Sequence, residues 1–321
     1  MGWEDILPKR FEAVYGDQAL RVEVDKILER ASTNPFFQRV SELFPQGYLS
    51  ITSPMAGALG RVHDTVVEAA QPELVGRSLL QVLRVSDSLV RFPKAKKAKA
   101  YETAELASVW FTGEKIETQD VKADIEIRAG ADWTRKFLED ASWNVLERES
   151  AEVGRAIGLL ETERIVKLFT SIPSSELAGG GEVSAQTSGT LTYADVVKAR
   201  RAVKAERFKP DCLLVSANKE GDLWMDDRFI HNFYYGSQQD KQRGVLGTFL
   251  NLEVIVDNSG ATPDNKAFVI DRSTAAVMLL RRDIMVQSFD DEKTDSHGVV
   301  ASERIGLGVL RSRAVARITG C

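Results

Sequence analysis

The chain has 321 residues, of which 43% are hydrophobic and 28% are charged, and its formal net charge is -5. This composition is typical of a globular protein long enough for more than one domain. It argues against a membrane-spanning protein, because no run of about 18 apolar residues occurs, and against a protein that coats nucleic acid with its whole surface.

The first residues lack the basic segment of a signal peptide, so we expect the chain to fold in the cytosol. Residues 1–45 carry short helical patterns that are broken at Pro35 and Pro45. Such short helices cannot hold a core of their own and are expected to lie on another surface, such as that of a neighbouring subunit. Residues 46–60 have the composition of a linker. We therefore assign residues 1–85 to an N-terminal arm.

Residues 86–129 have the pattern of a long β-hairpin. Strand-like runs occur at residues 88–92 and 108–111, and residues 121–128 alternate apolar and charged side chains strictly. The segment has too few apolar residues to form its own core. We therefore expect it to protrude and to pack against other chains.

Two groups of residues in this hairpin are candidates for contacts between subunits. A run of lysines contains no acidic residue, and although such a run is more often a solvated face, its place in a protruding arm favours a contact. Two aromatic residues need burial somewhere. The candidate contact residues are Lys94, Lys96, Lys97, Lys99, Trp110 and Phe111.

Residues 132–169 predict one long amphipathic helix, which contains no proline. Apolar residues recur at steps of three and four, which is the period of one helix face. At 1.5 Å per residue such a helix would be roughly 57 Å long, so we expect it to serve as the spine of the subunit. The residues assigned to its buried core face are Trp133, Phe137, Val153 and Leu160.

The rest of the chain mixes helical and strand patterns. A helix is predicted over residues 192–204, and short buried strands are predicted at 213–216, 252–256 and 267–270. Further strands are predicted within residues 275–318. The fold class is therefore α+β.

This order of parts resembles the major capsid proteins of tailed bacteriophages and related archaeal viruses, which have the Hong Kong 97-type fold. The resemblance covers about residues 80–321 and rests on the layout together with diffuse local patterns. These patterns are LLVS at 213–216, GVLG at 244–247 leading into LEVIVD at 252–257, KAFVID at 266–271 and RDIMV at 282–286.

The resemblance implies a Hong Kong 97-like capsid fold with five parts. Residues 1–85 would be the N-terminal arm, and residues 86–129 would be the extended β-hairpin loop. Residues 130–190 would form the peripheral domain with the spine helix, and residues 191–265 the axial domain. Residues 266–321 would be return strands that belong mainly to the peripheral domain.

The resemblance also implies a structural function. The chain would form pentamers and hexamers of an icosahedral shell that encloses double-stranded DNA without sequence-specific binding, and it would be assembled in the host cytoplasm into the virion. A separate scaffolding protein, a portal and a decoration protein are the implied partners, and no cofactor is implied. Some relatives join their loops to neighbours through a lysine–asparagine bond, but no motif here identifies an asparagine partner. An encapsulin, a cellular compartment of the same fold, is the alternative.

No local motif supports catalysis or metal binding. His63, His231 and His297 lie in no motif with a serine or cysteine nucleophile, and the two cysteines have no zinc spacing. Residues 289–297 offer oxygen and nitrogen ligands, but they lack the spacing of a calcium loop and are better explained as a solvated loop between strands. A metal-dependent enzyme that uses this loop is the remote alternative.

Overall fold

Two β-sheets, a two-stranded hairpin and one long helix make up the fold. The structure is a computed structural model of the single chain and describes residues 54–94, 117–140, 143–225, 248–291 and 293–321. The helices are α1 (Pro54–Ala70), α2 (Arg135–Asp140), α3 (Trp143–Thr170), α4 (Tyr193–Ala205) and α5 (Ala217–Met225). The strands are β1 (Gln81–Arg84), β2 (Leu89–Lys94), β3 (Glu117–Lys122), β4 (Ile125–Thr134), β5 (Val183–Ser184), β6 (Cys212–Ser216), β7 (Thr248–Phe249), β8 (Leu252–Asp257), β9 (Lys266–Ile270), β10 (Ala276–Asp291), β11 (Ser296–Val309) and β12 (Val315–Thr319). A 3₁₀ segment, Gln71–Leu79, joins α1 to β1.

A four-stranded sheet in the order β1-β10-β11-β4 packs against the spine helix α3. Strand β1 runs parallel to β10, whereas the β10–β11 and β11–β4 pairs are antiparallel. Of the eight buried residues of β10, seven are valine, isoleucine, leucine or methionine, which suit a strand with little exposure to water. The side chains on one face of the β10–β11 pair, such as Met278 and Val299, share one hydrophobic core with those of α3, whereas Val277 and Leu279 belong to a separate cluster.

A second, six-stranded sheet has the order β5-β12-β9-β6-β8-β7. Its central strand β6 runs parallel to β8 and antiparallel to β9. Because successive side chains of a strand point to opposite faces, Leu213 and Val215 pack with residues of α4 and α5, while Cys212 and Leu214 join the core that contains α3. The helix predicted at 192–204 and the strands predicted at 213–216, 252–256 and 267–270 are confirmed as α4, β6, β8 and β9.

After strand β9, the chain crosses between the two sheets twice. Strands β10 and β11 lie in the four-stranded sheet, whereas β9 and β12 pair with each other in the six-stranded sheet. Residues 266–321 were predicted to belong mainly to the peripheral domain. Strands β9 and β12 are the part of this segment to which that prediction does not apply. Their antiparallel pairing, next to β6, places them with the predicted axial domain.

The spine helix is shorter than the sequence predicts. It begins at Trp143, and Trp133 lies instead in strand β4, opposite His297 of β11. Phe137 lies in the short helix α2 with 41% of its surface exposed. The prediction that these two residues belong to the core face of one continuous helix is therefore wrong, because strand β4 pairs with β11 along its whole length and this pairing outweighs a local helical pattern.

The buried face of α3 also differs from the predicted stripe. Val153 is buried, whereas Leu160 is only half-buried. Several buried positions are occupied by glycine or by polar residues, which an apolar period does not reveal. The buried residues of α3 are Leu146, Ser150, Val153, Gly154, Ile157, Gly158, Glu161, Thr162, Ile165, Val166 and Phe169.

Two glycines of α3 set its distance from α1. A Cβ atom built on Gly154 would lie 2.1 Å from the carbonyl oxygen of Val66, and one built on Gly158 would lie 2.9 Å from the carbonyl oxygen of Ala70. No ordinary side chain fits at such distances, so the two helices meet backbone to backbone. We call this contact, formed by Gly154 and Gly158 against Val66 and Ala70, the glycine seam.

Residues 54–84 belong to the packed subunit. Val62, Val66 and Ala70 of α1 are fully buried in the core that contains α3. The predicted N-terminal arm (residues 1–85) and linker (residues 46–60) are therefore wrong for this part of the chain, because its apolar residues have a partner within the subunit. The remainder of both predictions, residues 1–53, lies outside the described residues.

The C-terminal end of the spine helix is held by strand β12. Arg317, which is almost fully buried, donates hydrogen bonds to the carbonyl oxygens of Thr170 at 2.7 Å and Ile172 at 3.0 Å. Its guanidinium group also lies 2.8 Å from the carboxylate of Glu182. The last carbonyl groups of a helix have no partner within the helix, and a cation interacts favourably with them. Arg317 thus connects the six-stranded sheet to the end of α3.

Candidate assembly site

The predicted extended loop has a well-defined root. Strands β2 and β3 pair antiparallel from Leu89 opposite Lys122 to Lys94 opposite Glu117. This pairing confirms a hairpin at the base of the segment that was predicted as residues 86–129. The segment from 95 to 116 lies outside the described residues, and so do the candidate contact residues Lys96, Lys97, Lys99, Trp110 and Phe111. Lys94 ends strand β2.

Two glycines of β11 allow the hairpin root to lie directly on the four-stranded sheet. A Cβ atom on Gly306 would lie 2.3 Å from the carbonyl oxygen of Lys122, and one on Gly308 would lie 2.4 Å from the Cγ2 atom of Val121. The side chain of Arg304 donates a hydrogen bond from Nε to the carbonyl oxygen of Ala123 at 2.9 Å. The hairpin therefore leaves the subunit from a fixed base.

An ionic cluster beneath the sheet joins four elements of the subunit. Arg77, from the 3₁₀ segment, donates to Glu161 of α3 through Nε at 2.9 Å and through Nη2 at 2.7 Å. The same Nη2 lies 3.2 Å from Glu303 of β11, and Nη1 lies 3.4 Å from Asp283 of β10. We call Arg77, Glu161, Asp283 and Glu303 the Arg77 cluster. Bidentate pairing of one arginine with a carboxylate fixes geometry as well as charge.

The Arg77 cluster contains three carboxyl groups but only one cation, and two of these carboxyl groups are buried. The side chains of Glu161 and Glu303 are fully buried, and Oε1 of Glu303 accepts no hydrogen bond within the described residues. Burial, with the neighbouring charge of Glu161 as the second cause, raises the pKa of Glu303 from 4.5 to about 9. A protonated Glu303 avoids the cost of a second buried carboxylate beside Glu161. The cluster therefore holds a proton at neutral pH.

Sequence reasoning missed the Arg77 cluster. Its members lie far apart in the chain, and a single sequence gives no sign that they meet. One signal was present, because Glu161 lies four residues after Ile157 and four before Ile165, so that it is a charge on an apolar helix face. A charge in that position requires a partner from another element.

The acidic segment at 289–297 is a solvated connection between strands, as we predicted, only at residues 293–295, which form an exposed turn. Strand β10 extends to Asp291 and β11 begins at Ser296, because the antiparallel pairing continues almost to the turn. His297 is buried, with Nδ1 2.7 Å from Asp290 and Nε2 3.3 Å from Asp295. These contacts brace the tip of the β10–β11 pair.

The described ranges contain neither a metal site nor a membrane span. No group of three or more His, Cys, Asp or Glu side chains in them is arranged to hold a metal ion. None of their helices has the length and apolar character needed to cross a membrane.

A hairpin rooted on one sheet, a spine helix and a second mixed sheet are arranged as in the Hong Kong 97-type fold, which solved phage capsid structures share. A sequence model described as phage capsid protein matches residues 120–318, and the chain therefore belongs to the phage capsid protein family. It is a structural protein, a major capsid protein whose copies assemble into the shell of the virion. The family match favours this function over an encapsulin and over a metal-dependent enzyme.

Solved structures with the same fold come from several sources. Mycobacterium phage Bobi gives a TM-score of 0.56 at 19% identity, over 76% of this chain and 89% of that chain. The capsid of cyanophage P-SCSP1u gives 0.58 at 13%, over 75% and 86%. A virus-like particle from Pyrococcus furiosus gives 0.55 at 13%, over 81% and 98%. No curated protein matches the chain.

Proposed function

We propose that the chain builds an icosahedral shell from pentamers and hexamers, and that this shell encloses double-stranded DNA. The observation that carries the proposal is the hairpin root, in which Gly306 and Gly308 bring the strands onto the sheet. An extended loop can hold a neighbouring subunit in register only if its base is fixed. The root supplies such a base, and it belongs to a chain of the phage capsid protein family.

The proposal includes partners and a place of assembly. A separate scaffolding protein, a portal and a decoration protein act with the shell, and assembly takes place in the host cytoplasm. We also propose that residues 1–45 contribute contacts between subunits. The chain has no catalytic activity in this proposal, which is supported by its membership of a family of capsid proteins.

Expression of the full chain, followed by electron microscopy and absorbance measurements, tests the proposed function. Closed particles are expected, and particles loaded with DNA would show an absorbance ratio dominated by nucleic acid. A co-purifying cargo enzyme would instead indicate an encapsulin. A monomer with stoichiometric metal would contradict the proposal.

The lysine run of the hairpin is expected to guide assembly. We propose that Lys94, Lys96, Lys97 and Lys99 face acidic groups of an adjacent subunit, where Trp110 and Phe111 are buried. An exposed ion pair contributes only about 0 to 1 kcal/mol and is screened beyond about 8 Å at physiological salt. One substitution should therefore do little, whereas changing all four lysines to glutamate should repel the partner and prevent closed shells.

The matched control is the variant with all four lysines changed to arginine, which keeps the positive charge. Assembly is followed by light scattering at low and high salt. We expect the glutamate variant to stay folded and unassembled, with partial recovery in added salt, and the arginine variant to assemble normally. Normal assembly of the glutamate variant at both salt concentrations would show that the run is only a solvated face.

A further inference from the structure

The outward face of helix α4 carries positive charge only. The helix packs Val196, Ala199 and Val203 against the six-stranded sheet. On the opposite side it exposes Lys198, Arg201 and Lys204. Residues three apart lie on the same side of a helix, so these cations form one row about 9 Å long. We call these three residues the basic row.

Among the described residues, one of the three cations of the basic row, Lys198, has an acidic partner within 4 Å. The single acidic residue of α4 is Asp195, which is buried and accepts hydrogen bonds from the hydroxyl of Thr192 at 2.6 Å and the backbone N–H of Gln186 at 3.0 Å. Lys198 lies 3.7 Å from this carboxylate. Within the described residues, Arg201 and Lys204 form no ion pair of 4 Å or less. The row is thus a local positive charge on a chain whose net charge is -5.

The spine helix shows what an ordinary exposed face looks like in this protein. Its exposed side chains carry both signs of charge, and some of them pair within the helix, as Glu152 does with Arg155 and Glu163 with Lys167. Because paired charges compensate each other, such a face attracts a charged partner molecule only weakly. The basic row differs because its charges have one sign.

The chemistry of the row fits a polyanion better than a protein surface. Val197 is the one large apolar residue exposed on this helix, at 37%, so the face lacks the apolar centre of a protein interface. Lysine is depleted in such interfaces, whereas arginine and lysine provide most contacts to phosphate. Duplex DNA presents one negative charge per roughly 1.7 Å of its axis, so a row of about 9 Å can face several phosphates.

We propose that Lys198, Arg201 and Lys204 form a contact surface for the phosphate backbone of the double-stranded DNA inside the shell. This assignment rests on the proposed function and adds to it the residues that face the DNA. The contact does not depend on the DNA sequence, because it is made to phosphate groups and not to the edges of the bases. It follows that α4 faces the interior of the shell.

The test compares the wild-type subunit with a variant that carries Lys198→Gln, Arg201→Gln and Lys204→Gln. Glutamine keeps helix propensity and removes the charge. Binding of unassembled subunits to a fluorescent 30-base-pair duplex is measured by anisotropy at several salt concentrations. Each phosphate contact contributes about 0.9 to the slope of log affinity against log salt, so we expect the triple variant to reduce that slope by roughly 2 to 3.

A control variant removes three exposed cations elsewhere, through Lys136→Gln, Arg148→Gln and Arg164→Gln. It should keep the wild-type slope. The proposal is overturned if wild-type subunits do not bind the duplex, if the triple variant keeps the full slope, or if the control loses as much. Unchanged DNA binding by the triple variant together with failed assembly would show that the row contacts an acidic neighbouring subunit.

A second measurement uses closed wild-type shells. If the row faces the interior, duplex added from outside should bind closed shells much more weakly than free subunits. Equal binding would place the row on the outer surface and contradict the assignment. A wild-type chain that binds duplex but forms no particles would overturn the proposed function, whereas particles without an effect of the triple variant would overturn only this inference.

Discussion

Replacement of Arg77 by methionine is expected to lower the free energy of unfolding of the subunit by about 3 to 5 kcal/mol at neutral pH. Arg77 is the cation that contacts the fully buried carboxyl groups of Glu161 and Glu303. Methionine fills similar space but leaves a buried carboxylate without a positive partner. Urea unfolding of unassembled subunits, followed by circular dichroism at pH 7, measures the effect.

Arg84→Met is the matched control. The Arg84 side chain is 42% exposed and lies 3.6 Å from Asp283, which is also an acceptor of Arg77. Because an exposed ion pair contributes little, we expect this variant to differ from wild type by less than about 1 kcal/mol. Equal losses in the two variants would contradict the argument, since they would show that burial of the carboxylates does not determine the cost.

The raised pKa of Glu303 predicts how stability depends on pH. Because burial raises this pKa from 4.5 to about 9, the folded state binds a proton that the unfolded state releases within this interval. The stabilisation that goes with the proton is fully present below pH 4.5 and is lost as the pH rises towards 9. Glu303→Gln stays neutral, so we expect its stability to fall less than that of wild type between pH 6 and pH 9. Parallel stability curves for the two proteins would refute a protonated Glu303.

Gly154→Ala is expected to lower the free energy of unfolding by at least about 2 kcal/mol. At a solvent-exposed helix position, alanine is favoured over glycine by about 1 kcal/mol. Helix propensity alone would therefore predict that this substitution stabilises the subunit, which is the opposite of the expected result. The reason is the glycine seam, where the added Cβ would lie 2.1 Å from the carbonyl oxygen of Val66. Helices α1 and α3 would have to separate and lose part of their shared core. Urea unfolding reports this loss directly.

Gly221→Ala provides the contrast within the same protein. Gly221 lies in helix α5, and a Cβ atom built on it meets nothing within 4 Å. This substitution should therefore stabilise the subunit by up to about 1 kcal/mol. If both alanine variants were stabilised, helix α1 would not be packed against α3 as closely as the structure shows.

The sequence predicted much of the fold because several of its patterns are local. The strands at 213–216, 252–256 and 267–270 are short apolar runs bounded by turn-forming residues, and each is present in the six-stranded sheet. Strand β2 of the hairpin root was also predicted, from the strand-like run at 88–92. The alternating run at 121–128 is instead divided between β3 and β4, and β4 pairs in the four-stranded sheet. The contacts of the hairpin tip stay a prediction.

The remaining features depend on contacts between distant segments. Trp133 lies in a strand because β4 pairs with β11, which is more than 160 residues away in the chain. The face of α3 that meets α1 was missed because close approach requires Gly154 and Gly158, and glycine has no apolar side chain to extend a stripe. Glu161 was missed because its burial depends on Arg77. Periodicity cannot detect any of these arrangements.

The contact of Arg317 with the end of the spine helix has a consequence for synthesis on the ribosome. Arg317 follows Ile172 by 145 positions in the chain. The carbonyl groups at the end of α3 therefore lack this hydrogen-bond donor until those residues have been synthesised. At roughly 5 to 20 residues per second, this delay is about 7 to 30 s. Strand β4 likewise cannot form its pairing until β11 has been synthesised. We therefore expect a nascent subunit to remain incompletely folded until nearly all of it has been translated.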